Sequence, residues 1–496
     1  MKGEFYMALI DIRNLTFEYP GSLEPVFNDL DLKLDTDWKL GLIGRNGYGK
    51  TTFLKLLMDE YSYKGLICKP IPMAYFPFSI KNYNTMTLDL LETLQPDFQL
   101  WRLKREMNLL EVGEEILYRP FSTLSGGEQT KILLALLFAK EERFLLIDEP
   151  TNHLDTHGRE VVAKYLESKK GFILVSHDRE FINSIVDHIL TIEKRKIVLQ
   201  RGTYDTWEQN KNLEDQYELE QNQKLRKEIR RLKQSAREKA TWSDKVEATK
   251  IGSGPVDRGY IGHMAAKMMK RSKVIEKRYE KAIDEKEKLL KNIETIDKLQ
   301  MNVLNHHAKQ YLYAEDFTIA YGNSDIFKPI QFTVEKGDCI VFKGDNGSGK
   351  SSIIKAILGE DVPWRGRLEI AKGITISYVP QKFHSVTGNI NEFVVKEQID
   401  KTTFLTILRK LGFSRNQFEI PIENFSMGQK KKIFLAKSIC EEAHLFIWDE
   451  PLNYIDVISR IQIENMILEY SPTMILVEHD RRFIDKVATD IIELSK

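Results

Sequence analysis

The chain has 496 residues, 42% of them apolar, with 73 Lys and Arg against 73 Asp and Glu and three cysteines. That length suits two or three domains with separate cores, and the apolar and charged fractions are those of a soluble protein. No window approaches the ~20 apolar residues that cross a bilayer, the start MKGEFYMALI lacks the apolar stretch of a secretory leader, and Cys68, Cys339 and Cys440, scattered without metal-ligand spacing, read as reduced thiols of a cytoplasmic protein.

From Ile10 to about Trp207 short apolar runs alternate with helical periodicity. Lys39–Gly44 predicts a strand feeding the loop Gly44-Arg45-Asn46-Gly47-Tyr48-Gly49-Lys50-Thr51, and Thr51–Met58 opens the next helix. Further on comes Leu124-Ser125-Gly126-Gly127-Glu128-Gln129. Phe144–Asp148 and Phe172–Ser176 are unbroken apolar runs, which suit parallel strands buried on both faces. They lead into Asp148-Glu149-Pro150 and Ser176-His177-Asp178.

Between Gln209 and Met301 the texture changes. Charged residues dominate, and Leu225, Ile229 and Leu232, then Ile275, Tyr279 and Ile283, recur at helical spacing. This predicts two long antiparallel helices joined by a Gly- and Pro-containing loop near 244–262. Lys224 to Arg278 holds seventeen Lys/Arg and six Asp/Glu, a net of +11 in a chain that sums to zero. A solvated coiled-coil spacer would explain charged helices. The imbalance of sign, gathered around the loop, points instead to a polyanion, with Lys245, Lys250, Arg258, Lys267, Lys270 and Arg271 as candidate contacts to its phosphates.

From Tyr311 onward the order of the first half returns. The loop is Gly344-Asp345-Asn346-Gly347-Ser348-Gly349-Lys350-Ser351, followed by Phe425-Ser426-Met427-Gly428-Gln429, Asp449-Glu450-Pro451 and Glu478-His479-Asp480. One such loop is a weak signal; four motifs in one order, twice, mark a duplicated domain. The boundaries read as 1–208, 209–301 and 302–496.

The chemistry follows from residue type. Glycines let successive N–H groups converge on a phosphate, and the following helix adds its dipole. Lys50 and Lys350 supply charge to the β- and γ-phosphates; Thr51, Ser351, Asp148 and Asp449 would hold Mg²⁺, with Thr52 and Ser352 beside the phosphates. Glu149 and Glu450 stand one residue on, placed to polarise an attacking water, and His177 and His479 end a third apolar strand near the γ-phosphate. Tyr19 and Tyr321, ahead of each loop, are candidates to stack on adenine, or are packed surface rings.

These motifs resemble those of ATP-binding-cassette ATPases over both halves. The resemblance implies an α/β fold of two tandem cassettes joined by an antiparallel helical hairpin, and head-to-tail closure. Lys50, Glu149 and His177 would then meet Ser426 and Gly428, while Lys350, Glu450 and His479 would meet Ser125 and Gly127, with Gly126 in the same signature. Tyr378-Val379-Pro380-Gln381 matches the family's glutamine loop, adding Gln381 to the metal site, whereas the first half has Phe78 there. Met427 replaces the first signature glycine and faces the same first site, so that site is expected to bind ATP and hydrolyse it more slowly, unless both substitutions are simply tolerated.

A helical hairpin between whole cassettes is similar to the layout of the ABC-F proteins, which act on the ribosome; a transporter ATPase or a chromosome ATPase fits less well. The stretches LSGGEQ, DEPTNHLD and SHDREF are similar to those of that group, and within it GYIGHMAAKMMKRSK and the FSMGQ signature look like the antibiotic-resistance branch, Lsa type. That resemblance implies large-subunit rRNA and P-site tRNA as partners, with no membrane partner and no obligate protein partner. It also implies displacement of lincosamide, streptogramin A and pleuromutilin drugs. A housekeeping translation factor of the same family remains open.

Overall fold

The computed structural model describes residues 9–21, 25–140, 142–152, 154–193, 196–248, 297–322, 324–345, 347–381, 383 and 386–494, with 270, 274, 277, 278, 281–284 and 286 between them; side chains of 236–248 are excluded. The first half contributes β1 (Leu9–Phe17), β2 (Phe27–Asp35), β3 (Lys39–Ile43), β4 (Lys64–Cys68), β5 (Met73–Phe76), β6 (Phe144–Asp148), β7 (Phe172–Val175), β8 (His188–Glu193) and β9 (Lys196–Arg201). Two sheets result. An antiparallel one runs β2-β1-β4, and a six-stranded one runs β5-β6-β7-β3-β8-β9, parallel except for its last pair. Burial follows pattern: β2 alternates exposed and buried residues, whereas all of β7 is buried, as expected for strands covered on one face or both.

The second half repeats the plan with β10 (Gln310–Tyr321), β11 (Ser324–Asp325), β12 (Ile330–Glu335), β13 (Cys339–Lys343), β14 (Trp364–Ile370), β15 (Ile376–Val379), β16 (Leu445–Asp449), β17 (Met474–Val477) and β18 (Asp490–Glu493). Its parallel sheet, β15-β16-β17-β13-β18, matches β5-β6-β7-β3-β8 strand for strand. Because β3 and β13 lie between strands arriving from elsewhere in the chain, the carboxyl ends of three neighbouring strands meet at one edge, where such sheets bind ligands.

Both cassettes fall in one compact unit, Met1–Asp205 with Ile296–Lys496, and Thr206–Thr295 form a second. In the latter the helix Tyr204–Ala248 is continuous, and Glu228 pairs with Lys286 of the returning stretch. The helix passes through Asp244–Ala248, later than the expected loop start at 244, because no glycine or proline stops it before Gly252. Residues 249–262 of the expected loop lie outside the described residues. At the other boundary Leu299 and Met301, read from sequence as linker, are buried in the second cassette's core.

Candidate functional site

Each glycine-rich loop leaves a central strand and closes on a helix, Lys50–Leu57 or Lys350–Ile357. Gly49 has φ 97°, and a β-carbon there would stand 2.6 Å from Val26; Gly349 has φ 95°. Lys50 Nζ donates to the Gly44 carbonyl (2.7 Å) and Asn46 Oδ1 (3.1 Å), Lys350 Nζ to the carbonyls of Gly344 (2.6 Å) and Asp345 (2.8 Å). Burial lowers the pKa of both lysines. Asp456, Glu149 and Asp148 oppose this at Lys50, and Glu450, Asp449 and Asp345 at Lys350.

Strands β6 and β7 run beside β3, so Asp148, Glu149 and His177 reach the same edge as Lys50. Thr51 Oγ1 donates to Asp148 Oδ2 and Ser351 Oγ to Asp449 Oδ2, each at 2.9 Å. Glu149 (φ 51°) and Glu450 (φ 48°) both adopt left-handed backbone, a conformation that costs a side-chain-bearing residue free energy and clusters at functional sites.

The halves meet at the first site. A cavity of about 780 Å³ joins Tyr19, Asn46, Gly47, Gly49, Lys50, Thr51, Thr52, Asp148, Glu149 and His177 to Ser426, Met427 and Gly428. Asn46 Nδ2 donates to the Tyr454 carbonyl at 2.8 Å, and a β-carbon on Gly428 would lie 2.4 Å from that oxygen and 2.9 Å from Asn46 Nδ2 across the seam. Glycine is therefore the residue that lets the second signature approach the first loop. At the second site the cross-contacts come from another loop. Thr156 Oγ1 stands 3.5 Å from His479 Nδ1, and the Asp155 carboxylate favours charged Lys350. Asp456 acts likewise on Lys50. Of the first signature, which the family resemblance assigns to the second site, Gly126 lines the first cavity instead.

Tyr19 shares a 2.7 Å hydrogen bond with Thr52 Oγ1 and packs edge-on to Phe17, whereas Tyr321 is exposed at the end of β10. Gly347 has φ 81°, Ser352 is half-buried, and a β-carbon on Gly44 or Gly344 would crowd Ile192 or Ser348. Asn346 lies outside the described residues, as do Lys250, Arg258, Lys267, Arg271 and the side chain of Lys245; Lys270 is helical and exposed.

The oxygen set fits Mg²⁺, a hard cation. Asp449 Oδ1 is buried without a hydrogen bond among the described residues, while its partner oxygen holds Ser351. Burial pushes Asp449 up to about 6 and Asp148 upward too, outweighing Lys431 and Lys350 at the first and Lys50 and Lys55 at the second, so both carboxylates would gain from further positive charge. A cation held by Thr51 and Asp148, or by Ser351, Asp449 and Gln381, would supply it and neutralise phosphate oxygens.

A family described as ABC transporter matches residues 27–152 and 327–453, once in each half. The chain belongs to that family. It is an ABC ATPase with two tandem cassettes. This ATPase is 29% identical over 98% of its length to "Ribosome protection protein VmlR" of Bacillus subtilis (strain 168), covering 87% of that protein. It is 27% identical over 97% of its length to "ATP-binding protein Uup" of Buchnera aphidicola subsp. Acyrthosiphon pisum (strain APS), covering 80% of it. A solved complex of the archaeal ribosome recycling factor aABCE1 with the ribosomal stalk protein aP1 shares the fold, with TM-score 0.60 over 97% of this chain and 87% of that one at 18% identity.

The two sites of this ABC ATPase hold their glutamates differently. Gln381 Nε2 donates to Glu450 Oε1 at 2.7 Å, and Asn453 donates to the other oxygen. In the first site Phe78 lines the cavity at the glutamine's place. There Glu149 Oε1 is buried without a hydrogen bond among the described residues, 3.3 Å from His177 Nε2. Burial and the neighbouring Asp148 push Glu149 up to about 8. Burial lowers His177 well below its usual range and His479 to about 3, so both rings are neutral at neutral pH. Sequence reasoning did not single out Tyr454, Tyr75, whose hydroxyl donates to Asp148 at 3.1 Å, or Asp456. Asp456 carried a signal, since it ends DEPLNYID at the spacing of Asp155 in DEPTNHLD.

Proposed function

We propose that this protein is a cytoplasmic ABC-F ATPase of the ribosome-protection kind. It would bind the tRNA exit site, contact large-subunit rRNA and P-site tRNA, and dislodge lincosamide, streptogramin A and pleuromutilin drugs from the peptidyl-transferase centre. The observation that carries this reading is the cavity built jointly by the first phosphate loop and the second signature, in a chain whose inter-cassette segment has a net charge of +11 from Lys224 to Arg278. Nucleotide clamped between the halves would favour the closed pair, and the basic segment supplies the charge that binding to RNA requires. Likeness to a protein named for ribosome protection along 98% of the chain supports the same reading.

In this reading Glu149 and Glu450 polarise water, His177 and His479 contact the γ-phosphate, and the second site turns over ATP faster. Lys245, Lys250, Arg258, Lys267, Lys270 and Arg271 would meet phosphates. The test is co-sedimentation of the Glu149→Gln, Glu450→Gln double variant with ribosomes in ATP, together with drug susceptibility of cells expressing the wild-type chain. Trapping on ribosomes that weakens with salt, and raised resistance, are expected. Trapping without resistance would identify a housekeeping translation factor, and no ribosome affinity in mild salt would remove the reading.

A further inference from the structure

The fifth residue after each signature serine differs between the halves: Thr130 in the first and Lys431 in the second. Lys431 is 1% exposed, and its Nζ donates to the carbonyls of Pro380 (3.1 Å) and Asp449 (3.0 Å). Those carbonyls immediately precede Gln381 and Glu450, the two residues joined by the 2.7 Å hydrogen bond of the second site. One ammonium thus ties the glutamine loop to the end of β16 on the inner side of that bond.

The surroundings are altered to match. The first half pairs Thr151 with Ser176 at 3.2 Å. The second has Leu452 and Glu478 there, and both Glu478 oxygens accept main-chain N–H groups, from Leu452 at 3.0 Å and His479 at 2.7 Å. A buried cation is costly unless opposite charge and hydrogen bonds compensate it; burial lowers Lys431 to about 8, and the charges of Asp449, Glu478 and Glu450 oppose that fall. Where Thr130 replaces the lysine, Phe78 replaces the glutamine, so the tether and its cargo are absent together.

We propose that Lys431 is a positioning residue of the second ATP site, holding Gln381 in register with Glu450 so that this site, and not the first, is built for turnover. The inference rests on the reading that the second site is the faster one. Steady-state ATPase assays on the full chain test both. Glu450→Gln is expected to remove more turnover than Glu149→Gln, and equal losses would overturn the asymmetry. Lys431→Gln is expected to lower kcat roughly 10- to 100-fold, the scale of a small misplacement at a reacting centre, with KM and binding of a fluorescent ATP analogue unchanged and Lys431→Arg recovering part of the loss. Combined with Gln381→Ala, it should add little to that variant's own loss, since the lysine acts through the glutamine.

Unchanged kcat, a loss that multiplies in full with Gln381→Ala, or a loss that follows a fall in Tm would each overturn the proposal. The variant Lys431→Thr, Leu452→Thr, Glu478→Ser carries the set already packed in the first cassette and guards against misfolding of the single change. It too should lose kcat, and full activity in it would overturn the role of Lys431.

Discussion

Glu106 shows how a charged side chain is kept in a core. It is fully buried on the helix Leu100–Leu109, where it accepts hydrogen bonds from Tyr165 (2.7 Å), Arg105 (2.8 Å) and Lys169. Burial alone would raise its pKa, but the bonds from Lys169, Arg105 and Tyr165 outweigh burial and hold it below the usual range. The folded state therefore binds its proton less readily than the unfolded chain. Its stabilisation is present above the unfolded pKa of about 4.3 and is lost as pH falls below it. Glu106→Gln is expected to cost about 2 kcal/mol at pH 7, the scale of hydrogen bonds to a charged group, and much less at pH 3.5. Urea denaturation at the two pH values checks this, and a cost independent of pH would contradict it. At this scale the sequence was legible where function sits in contiguous motifs, as at Lys50 or Glu149. It was silent on Lys431 and Tyr454, whose roles depend on carbonyl groups and loops brought from distant parts of the chain.

The helices that follow the signatures are built alike. Ser125 caps Gly126–Phe138 through a reciprocal bond with Glu128, and Ser426 caps Met427–Cys440 through Gln429. Each exchange satisfies two N–H groups that a helix start leaves open. Ser125→Ala and Ser426→Ala are each expected to cost ~1 kcal/mol, with glycine costing only a few tenths; chemical denaturation of the four variants decides. If alanine and glycine were equally harmless, the caps would contribute nothing. Strands were foreseen because apolar runs such as Phe172–Val175 are buried on both faces. The tip of the charged segment was less legible, since the periodicity of Lys239–Ala248 continues a helix and only glycine or proline would have ended it.

Across the whole molecule the halves are joined by paired charges as well as by glycine. Arg179, 1% exposed, pairs with Glu464 of the other half and lies 3.9 Å from Asp480, and Lys486 holds the second Glu464 oxygen at 3.0 Å. Breaking a buried pair outright costs about 3–5 kcal/mol; with Arg179 removed, Lys486 still holds Glu464 and Arg460 still holds Asp480, so the loss here is expected to fall below that range. Arg179→Met is expected to split a shared calorimetric transition into two and to lower ATPase activity; one unchanged transition would show that the seam does not depend on this pair. Head-to-tail closure could be inferred from family resemblance, yet the Arg179–Glu464 pair could not, because nothing in either sequence segment names its partner. The reciprocal aspartates, Asp155 towards Lys350 and Asp456 towards Lys50, have a consequence for assembly. Were the twins separate polypeptides, dilution would dissolve both reaction chambers at once. Fusion in one chain makes their encounter unimolecular, so readiness to fire is independent of how scarce the protein becomes.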